Sequence, residues 1–258
     1  MRDQRPDQLK LPFYLWTREA VVQLIEQGCG VSVSVWTAGR YLKAWGFTPQ
    51  KPMRRACERN PRAVACWLKR EYPTIRAHAK QAKAEIYWAD EMGVRSDQPV
   101  GRSFSPRGET PVIPGTGQRF GCNQLFALTN RGHLLFMVFQ CGFTTRVFLD
   151  FLRRLERQAR RPVFLIVDGH PVHKARAIKT WLARPGCRVR LFFLPGYSPE
   201  LNPDELLNHD VKDYVGRHRP RTRAELVHTV RGHLRRRQRQ PHIVRRYFQG
   251  KHVQYAAA

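Results

Sequence analysis

Acidic residues are scarce in this chain. Only 20 Asp and Glu stand against 46 Lys and Arg, a formal net charge of +26 over 258 residues. Self-repulsion of that size is tolerable when the working partner is a polyanion, and nucleic acid is the obvious candidate, because each neutralised phosphate releases counterions. A merely solubilising or ribosomal-type basic surface is the competing explanation. It is weakened because the basic residues are interleaved with a normal core (42% hydrophobic residues) rather than gathered in tails. Paired cysteines are missing too: Cys29, Cys57, Cys66, Cys122, Cys141 and Cys187 form no C-x-x-C pair. That speaks against structural zinc and a disulfide framework and suits reduced cytosolic thiols. Long apolar runs are absent. The longest, Leu134–Phe139, falls far short of the ~18 residues that span a bilayer. The opening MRDQRPDQLK has no apolar segment, so no secretory signal is expected there. No internal repeat or low-complexity tract is visible beyond the arginine cluster Arg235–Arg239.

What is present allows one large domain, or a small one joined to a larger one. Residues 17–45 predict two short helices around a turn. Thr17 is placed to cap the first, Val21, Leu24 and Ile25 recur at helical spacing, and Gly28 and Gly30 break it. The second runs over Ser34–Gly46 with Val35, Ala38, Leu42 and Trp45 on one face and Gly46 as the stop. Its other face carries Trp36, Thr37, Arg40 and Lys43. That is the layout of a helix-turn-helix whose second helix reads the major groove. Any amphipathic two-helix packing unit gives the same pattern, and periodicity alone leaves the two open.

Residues 48–62 are rich in Pro and Arg, as in an extended linker on a phosphate backbone, with Arg54 and Arg55 as phosphate contacts. Residues 61–83 predict helix, interrupted at Tyr72-Pro73. The character then changes. Glu85–Asp90 reads as a short strand, and Gln124–Thr129 and Leu134–Gln140 flank Asn130-Arg131-Gly132 as a hairpin. Helix is expected over 145–158 and 173–183, strands over Val163–Val167 and Arg188–Leu194, and a further helix from near Asp204. A hairpin followed by alternating helix and strand predicts an α/β fold, a mixed sheet with flanking helices. The division expected is a helix-turn-helix region over 1–47, a basic linker and helix over 48–83, a catalytic domain over 84–216 and a basic helical extension over 217–258.

Two acids follow apolar strand signals, Asp90 after IYWA and Asp168 after VFLIV, where ligands bind at the mouth of an α/β sheet. A third, Glu205, sits in a first helical turn reached through the Pro-rich loop LPGYSPELNP. The interval after Asp168 accommodates a helix, a strand and a loop, enough to return the chain to the same edge of the sheet. Hard cations such as Mg²⁺ take carboxylate oxygens, and two of them ~3.5–4 Å apart clamp the attacking and leaving oxygens of a phosphoryl displacement. Three converging carboxylates would repel one another without metal, so convergence predicts metal binding. Taken singly, each acid has a plainer explanation as a cap, a turn former or a partner of the helix dipole.

The segments WADE (Trp88–Glu91), LIVDGHPVH (Leu165–His173) and LPGYSPELNPDE (Leu194–Glu205) resemble the bacterial insertion-sequence transposases of the mariner superfamily. The resemblance runs from about Leu11 to the C-terminal RRYFQGKHVQYA. It implies a DDE-type endonuclease with an RNase H-like catalytic domain. Asp90, Asp168 and Glu205 would then hold two Mg²⁺ or Mn²⁺ ions, and residues 17–45 would form a DNA-binding region. It also implies a homodimer acting on double-stranded DNA, both transposon ends and target, in the bacterial cytoplasm on the nucleoid. Arg40, Lys43, Arg54, Arg55 and Arg235, Arg236 and Arg237 would grip phosphates. Departures are present. Gly169 stands where relatives often have Asn, and Asn208 stands where they usually have Trp, which predicts lost packing beneath the helix of Glu205. A further helix-turn-helix is expected ahead of the one seen. A truncated or decayed copy that binds DNA without cutting it is therefore the alternative.

Three rival signals are weaker. Asp168, His170 and His173 suggest a two-histidine, one-carboxylate iron site, without oxygenase context. Gly196–Glu200 departs from the G-x-S-x-G elbow at its last position. Gly115, Gly117 and Gly121 miss the dinucleotide-binding spacing by one residue.

Overall fold

In the computed structural model, which describes residues 3–50, 52, 58–98, 104–113 and 117–257, the run Val163–Val167 is a strand (β4) buried at all five positions. An unbroken apolar run of this kind is stable only with both sheet faces covered. Side-chain alternation shows how. Phe164 and Ile166 enter one hydrophobic core, while Val163, Leu165 and Val167 enter a second. Chain contacts divide the protein into two compact units, Met1–Arg55 and Ala56–Ala258.

The larger unit is built on a five-stranded sheet of order β3-β2-β1-β4-β5. Strand β1 (Glu85–Arg95) pairs antiparallel with β2 (Gly121–Leu128), which pairs antiparallel with β3 (Leu134–Phe139). On its other side β1 runs parallel to β4, and β4 parallel to β5 (Val189–Phe193). One face is covered by α5 (Thr145–Gln158) and α6 (Arg176–Leu182). In α5 the buried Phe148, Phe151, Leu152 and Leu155 follow helical spacing, each worth about 1.5–3 kcal/mol of burial. The other face is covered by α3 (Pro61–Cys66), α4 (Tyr72–Gln81), α7 (Asp204–His218), α8 (Arg223–Gln238) and α9 (Pro241–Arg246). Tyr255 closes this face by stacking edge-on against Tyr72 and donating its hydroxyl to the Leu201 carbonyl at 2.8 Å.

Three local expectations are corrected. Strand β1 does not stop at Asp90 but continues to Arg95, because the antiparallel partner β2 supports it after pairing with β4 ends at Trp88. Pro73 does not break the helical stretch. A π-helical turn over Trp67–Glu71 precedes it, closed by the Tyr72 N–H bonding to the Trp67 carbonyl. The extra residue carries the chain past a ring that lacks an N–H and would strike the preceding turn. Residues 171–174 form a 3₁₀ turn started by Pro171, so α6 begins only at Arg176.

The smaller unit holds α1 (Arg18–Cys29) and α2 (Val35–Ala44). Thr17 caps α1 through the Ala20 N–H, and Ser34 caps α2 through the Thr37 N–H. Gly46, at φ +78°, ends α2, and the Phe47 N–H reaches back to the Leu42 carbonyl. Gly39 lets the helices approach, since a β-carbon there would meet the Arg18 side chain at 3.0 Å. The expected apolar face of α2 is only partly realised: Ala38 is buried, but Val35 and Trp45 are exposed.

Candidate metal centre

Strand register brings Asp90 and Asp168 to the same level of the sheet. The last parallel pair is Trp88↔Ile166, and each acid lies two residues beyond it on its own chain. The even positions of β1, among them Trp88, Met92 and Val94, face the core that α7 covers, so Asp90 looks toward that helix. Glu205 stands in the first turn of α7. The three carboxylates line one cavity of about 500 Å³ together with Gly169, Lys174, Ser198 and Asn202.

The acids differ in environment. Burial raises Asp90 to about 7, with the Glu205 charge adding to the rise and the Asn208 amide opposing it. Asn208 Nδ2 donates to Asp90 Oδ2 at 3.0 Å. Asp168 is more exposed. Burial pushes it up, but the His173 ring and the His170 N–H outweigh this and hold it below the usual carboxylate range. His173 Nδ1 lies 3.1 Å from Asp168 Oδ1, and its ring is wedged 4.5 Å from Phe148. Asp204, beside Glu205, is fully buried with neither carboxyl oxygen hydrogen-bonded. Burial, then the charges of Asp90 and Glu205, raise it well above the ordinary range. One lysine, Lys174, shares this cavity with three acids.

Mutual repulsion among three carboxylates that share one cavity fits a hard divalent cation, which takes oxygen donors and would relieve it. Among the described residues, no three His, Cys, Asp or Glu side chains converge closely enough to hold an ion as they stand. This applies equally to the iron-type set of Asp168, His170 and His173, where the His170 Nδ1 accepts from the Val172 N–H.

Asn208, Asp204 and Lys174 were not singled out as site groups from sequence. The family pattern predicts lost packing at Asn208; in the structure the residue is buried and bound to Asp90. The signal available was its position one turn after Glu205 on the same helix face.

The expected DNA contacts fall into three groups. On α2, Trp36, Arg40 and Lys43 are exposed and Thr37 is half-buried; Arg40 bonds to the Thr37 hydroxyl at 3.2 Å, and the Arg18 guanidinium lies 5.5 Å above the Trp36 ring. Arg54 and Arg55 lie outside the described residues. Arg235 and Arg236 are exposed at the end of α8, but Arg237 is spent inside the unit. It binds both oxygens of Asp210 at 2.6 and 2.7 Å, and Asp210 also accepts from His233 and Tyr247. As an ion-paired group at 18% side-chain exposure, Arg237 is not a free phosphate contact.

No helix among the described residues is long and apolar enough to cross a membrane. A winged helix-turn-helix family model matches residues 12–71. An insertion element IS630 uncharacterized 39 kDa protein from Shigella sonnei is 24% identical over 225 residues, 84% of this chain and 63% of the relative. The chain thus spans under two thirds of that protein's length. Among solved structures, the Mos1 mariner paired end complex with Mn superposes with a TM-score of 0.61 at 16% identity, covering 97% of this chain and 78% of that one. The Mos1 strand transfer complex gives 0.60 at 15% identity, covering 93% and 78%. These likenesses show the fold, an RNase H-like sheet preceded in the chain by a helix-turn-helix. The DDE superfamily endonuclease model matches residues 85–227, from the first residue of β1 into α8. With more than half its length under that model, the chain belongs to the DDE superfamily of endonucleases.

Proposed function

We propose that this protein is a DNA transposase that cuts the ends of a mobile element and joins them to target DNA, with Asp90, Asp168 and Glu205 as its metal-holding acids. The observation that carries this is the placement of three carboxylates from β1, the end of β4 and the start of α7 around one cavity in a chain of charge +26. Two Mg²⁺ or Mn²⁺ ions bound there would supply charge stabilisation to the attacking and leaving oxygens of an in-line phosphoryl transfer. The chain's own groups orient that chemistry. Asn208 fixes the rotamer of Asp90, and His173 and the His170 N–H hold Asp168. The rigid Pro195–Pro203 loop sets the height of Glu205. Lys174, at the cavity wall, is positioned to meet a phosphate oxygen.

The solved Mos1 relatives include complexes with transposon ends and with Mg or Mn, which supports duplex DNA and divalent ions as partners here. A homodimer on DNA and a bacterial cytoplasmic setting belong to the same proposal. A copy that binds without cutting is less favoured, since Asn208, one of the two features that suggested it, is engaged with Asp90.

The test is cleavage of element-end duplex in Mg²⁺ or Mn²⁺. Asp168→Asn should abolish cutting while leaving binding nearly intact, because Asn keeps the shape and loses the charge. Robust cutting by that variant, or in excess EDTA, would refute the assignment.

A further inference from the structure

The pole of the sheet opposite Asp90 and Asp168 carries a second cleft, of about 520 Å³. It opens at the first residue of β1, the β2–β3 turn and the loop between α5 and β4. Five residues of β4 separate its rim from Asp168, ~16 Å at ~3.3 Å per residue. Three arginines stand around it: Arg131 in the β2–β3 turn, and Arg160 and Arg161 ahead of β4. All three are exposed, and none forms an ion pair among the described residues. A neighbouring recess shares Arg131 and Glu85 and adds Arg76 and Lys80 from α4, so the basic surface continues across the sheet edge.

The floor of the cleft has the opposite sign. Glu85 is buried, with Oε1 lying 2.8 Å from His133 Nδ1 and Oε2 accepting from the Tyr87 hydroxyl at 3.1 Å. This distinguishes two kinds of anion. A small phosphate entering the recess would meet a buried carboxylate. A polyanion lying across the rim would meet only the guanidinium groups. The rim reaches over two to three strand spacings, ~10–15 Å, long enough to meet several phosphates of a duplex whose charges recur along its axis every ~1.7 Å.

We propose that this pole binds the phosphate backbone of a stretch of double-stranded DNA distinct from the one at the three acids, with Arg131, Arg160 and Arg161 as principal contacts. The proposal rests on the reading of the chain as a DNA-acting protein. Contacts of this kind position a duplex without reading its sequence. Guanidinium forks suit phosphate oxygens, and with no acidic partner among the described residues there is no internal pair there to break on binding.

The experiment measures duplex affinity of the full chain against salt concentration, for the wild type and for Arg131→Gln/Arg160→Gln/Arg161→Gln. Loss of three phosphate contacts should lower the magnitude of the log–log slope by about 2–3. It should weaken random and element-end duplexes alike, with an unchanged melting temperature. Benzoylphenylalanine in place of Gln158, on the cleft rim, should photocrosslink to duplex DNA. The crosslink should survive inorganic phosphate at the concentration of the duplex phosphates, and vanish in the triple variant. An unchanged slope in the triple variant while the wild type binds duplex would overturn this proposal alone. So would a crosslink to a second copy of the chain, or one erased by inorganic phosphate. Failure of the wild type to bind duplex at all would overturn the DNA reading with it.

Discussion

The side-chain amide of Asn208, one turn into α7 from Glu205, donates a 3.0 Å hydrogen bond to Asp90 Oδ2 on β1. The bond crosses from helix to sheet and fixes one of the two acids that sit level on adjacent strands. Partners of this kind orient a metal-holding side chain, and their loss typically costs about 10–100-fold in metal affinity or activity. Asn208→Ala should raise the Mg²⁺ concentration needed for half-maximal cleavage by a factor in that range while leaving duplex binding unchanged. An unaltered Mg²⁺ titration would show that Asp90 needs no such support.

Asp210 should matter for stability rather than chemistry. It accepts from Arg237, His233 and Tyr247 and joins α7 to α8 and to the turn after α9. Removing its charge leaves the Arg237 guanidinium without its partner in a mostly buried place, a loss of about 3 kcal/mol. Its hydrogen bonds and the His233 charge outweigh burial and hold Asp210 far below the ordinary carboxylate range. The stabilisation is therefore complete above the ordinary Asp value of about 4 and is lost as pH falls toward the lower native one. Thermal melts of Asp210→Asn and wild type should differ most near neutrality and converge in acid. A gap that stays constant down to pH 2 would disprove this linkage.

Much of the sheet was legible because its strands are one-signal segments. A continuous VFLIV run, a hairpin with Gly132 at its turn and a Pro-rich loop before Asp204 each demand a single local outcome. The proximity of Asp90 and Asp168 was legible from the apolar strand signals ahead of each, although β1 runs on past Asp90. Residues whose role depends on register or on distant partners were not legible. The continuation of β1 past Asp90 depends on β2, some thirty residues further on, and the capture of Arg237 by Asp210 on a helix-helix contact that no spacing rule anticipates. At Asn208 the departure from a family pattern is visible in sequence while its partner on β1 is not.

Gly132 offers a test of the hairpin's fit against α9. Its φ of +92° is one that side-chain-bearing residues rarely adopt, and a β-carbon would lie 2.5 Å from the Pro241 carbonyl oxygen. Backbone must move to admit it. Gly132→Ala should cost about 3 kcal/mol or more, a melting-temperature drop of roughly 6–12 °C for a unit of this size. A drop under a degree would mean that α9 does not pack on this turn in solution.

The arginine cluster at the end of α8 separates two roles within three consecutive residues. Arg235 and Arg236 are exposed, with Arg236 lying 5.4 Å from the Tyr214 ring, whereas Arg237 is bidentate on Asp210. If exposed arginines grip phosphates, Arg235→Gln/Arg236→Gln should reduce the magnitude of the log–log salt slope of duplex binding by about 1–2 with little change in melting temperature. Arg237→Gln should do the reverse, because it removes the charged, bidentate partner of Asp210 and contributes no outward charge. Expected there is a loss of about 3 kcal/mol in stability with a nearly unchanged salt slope at temperatures well below the melt. The two measurements on the two variants form a crossed design. If Arg237→Gln lowered the salt slope as much as the double variant while the fold kept its stability, the Asp210 pair would be dispensable, and all three arginines would have to be counted as DNA contacts.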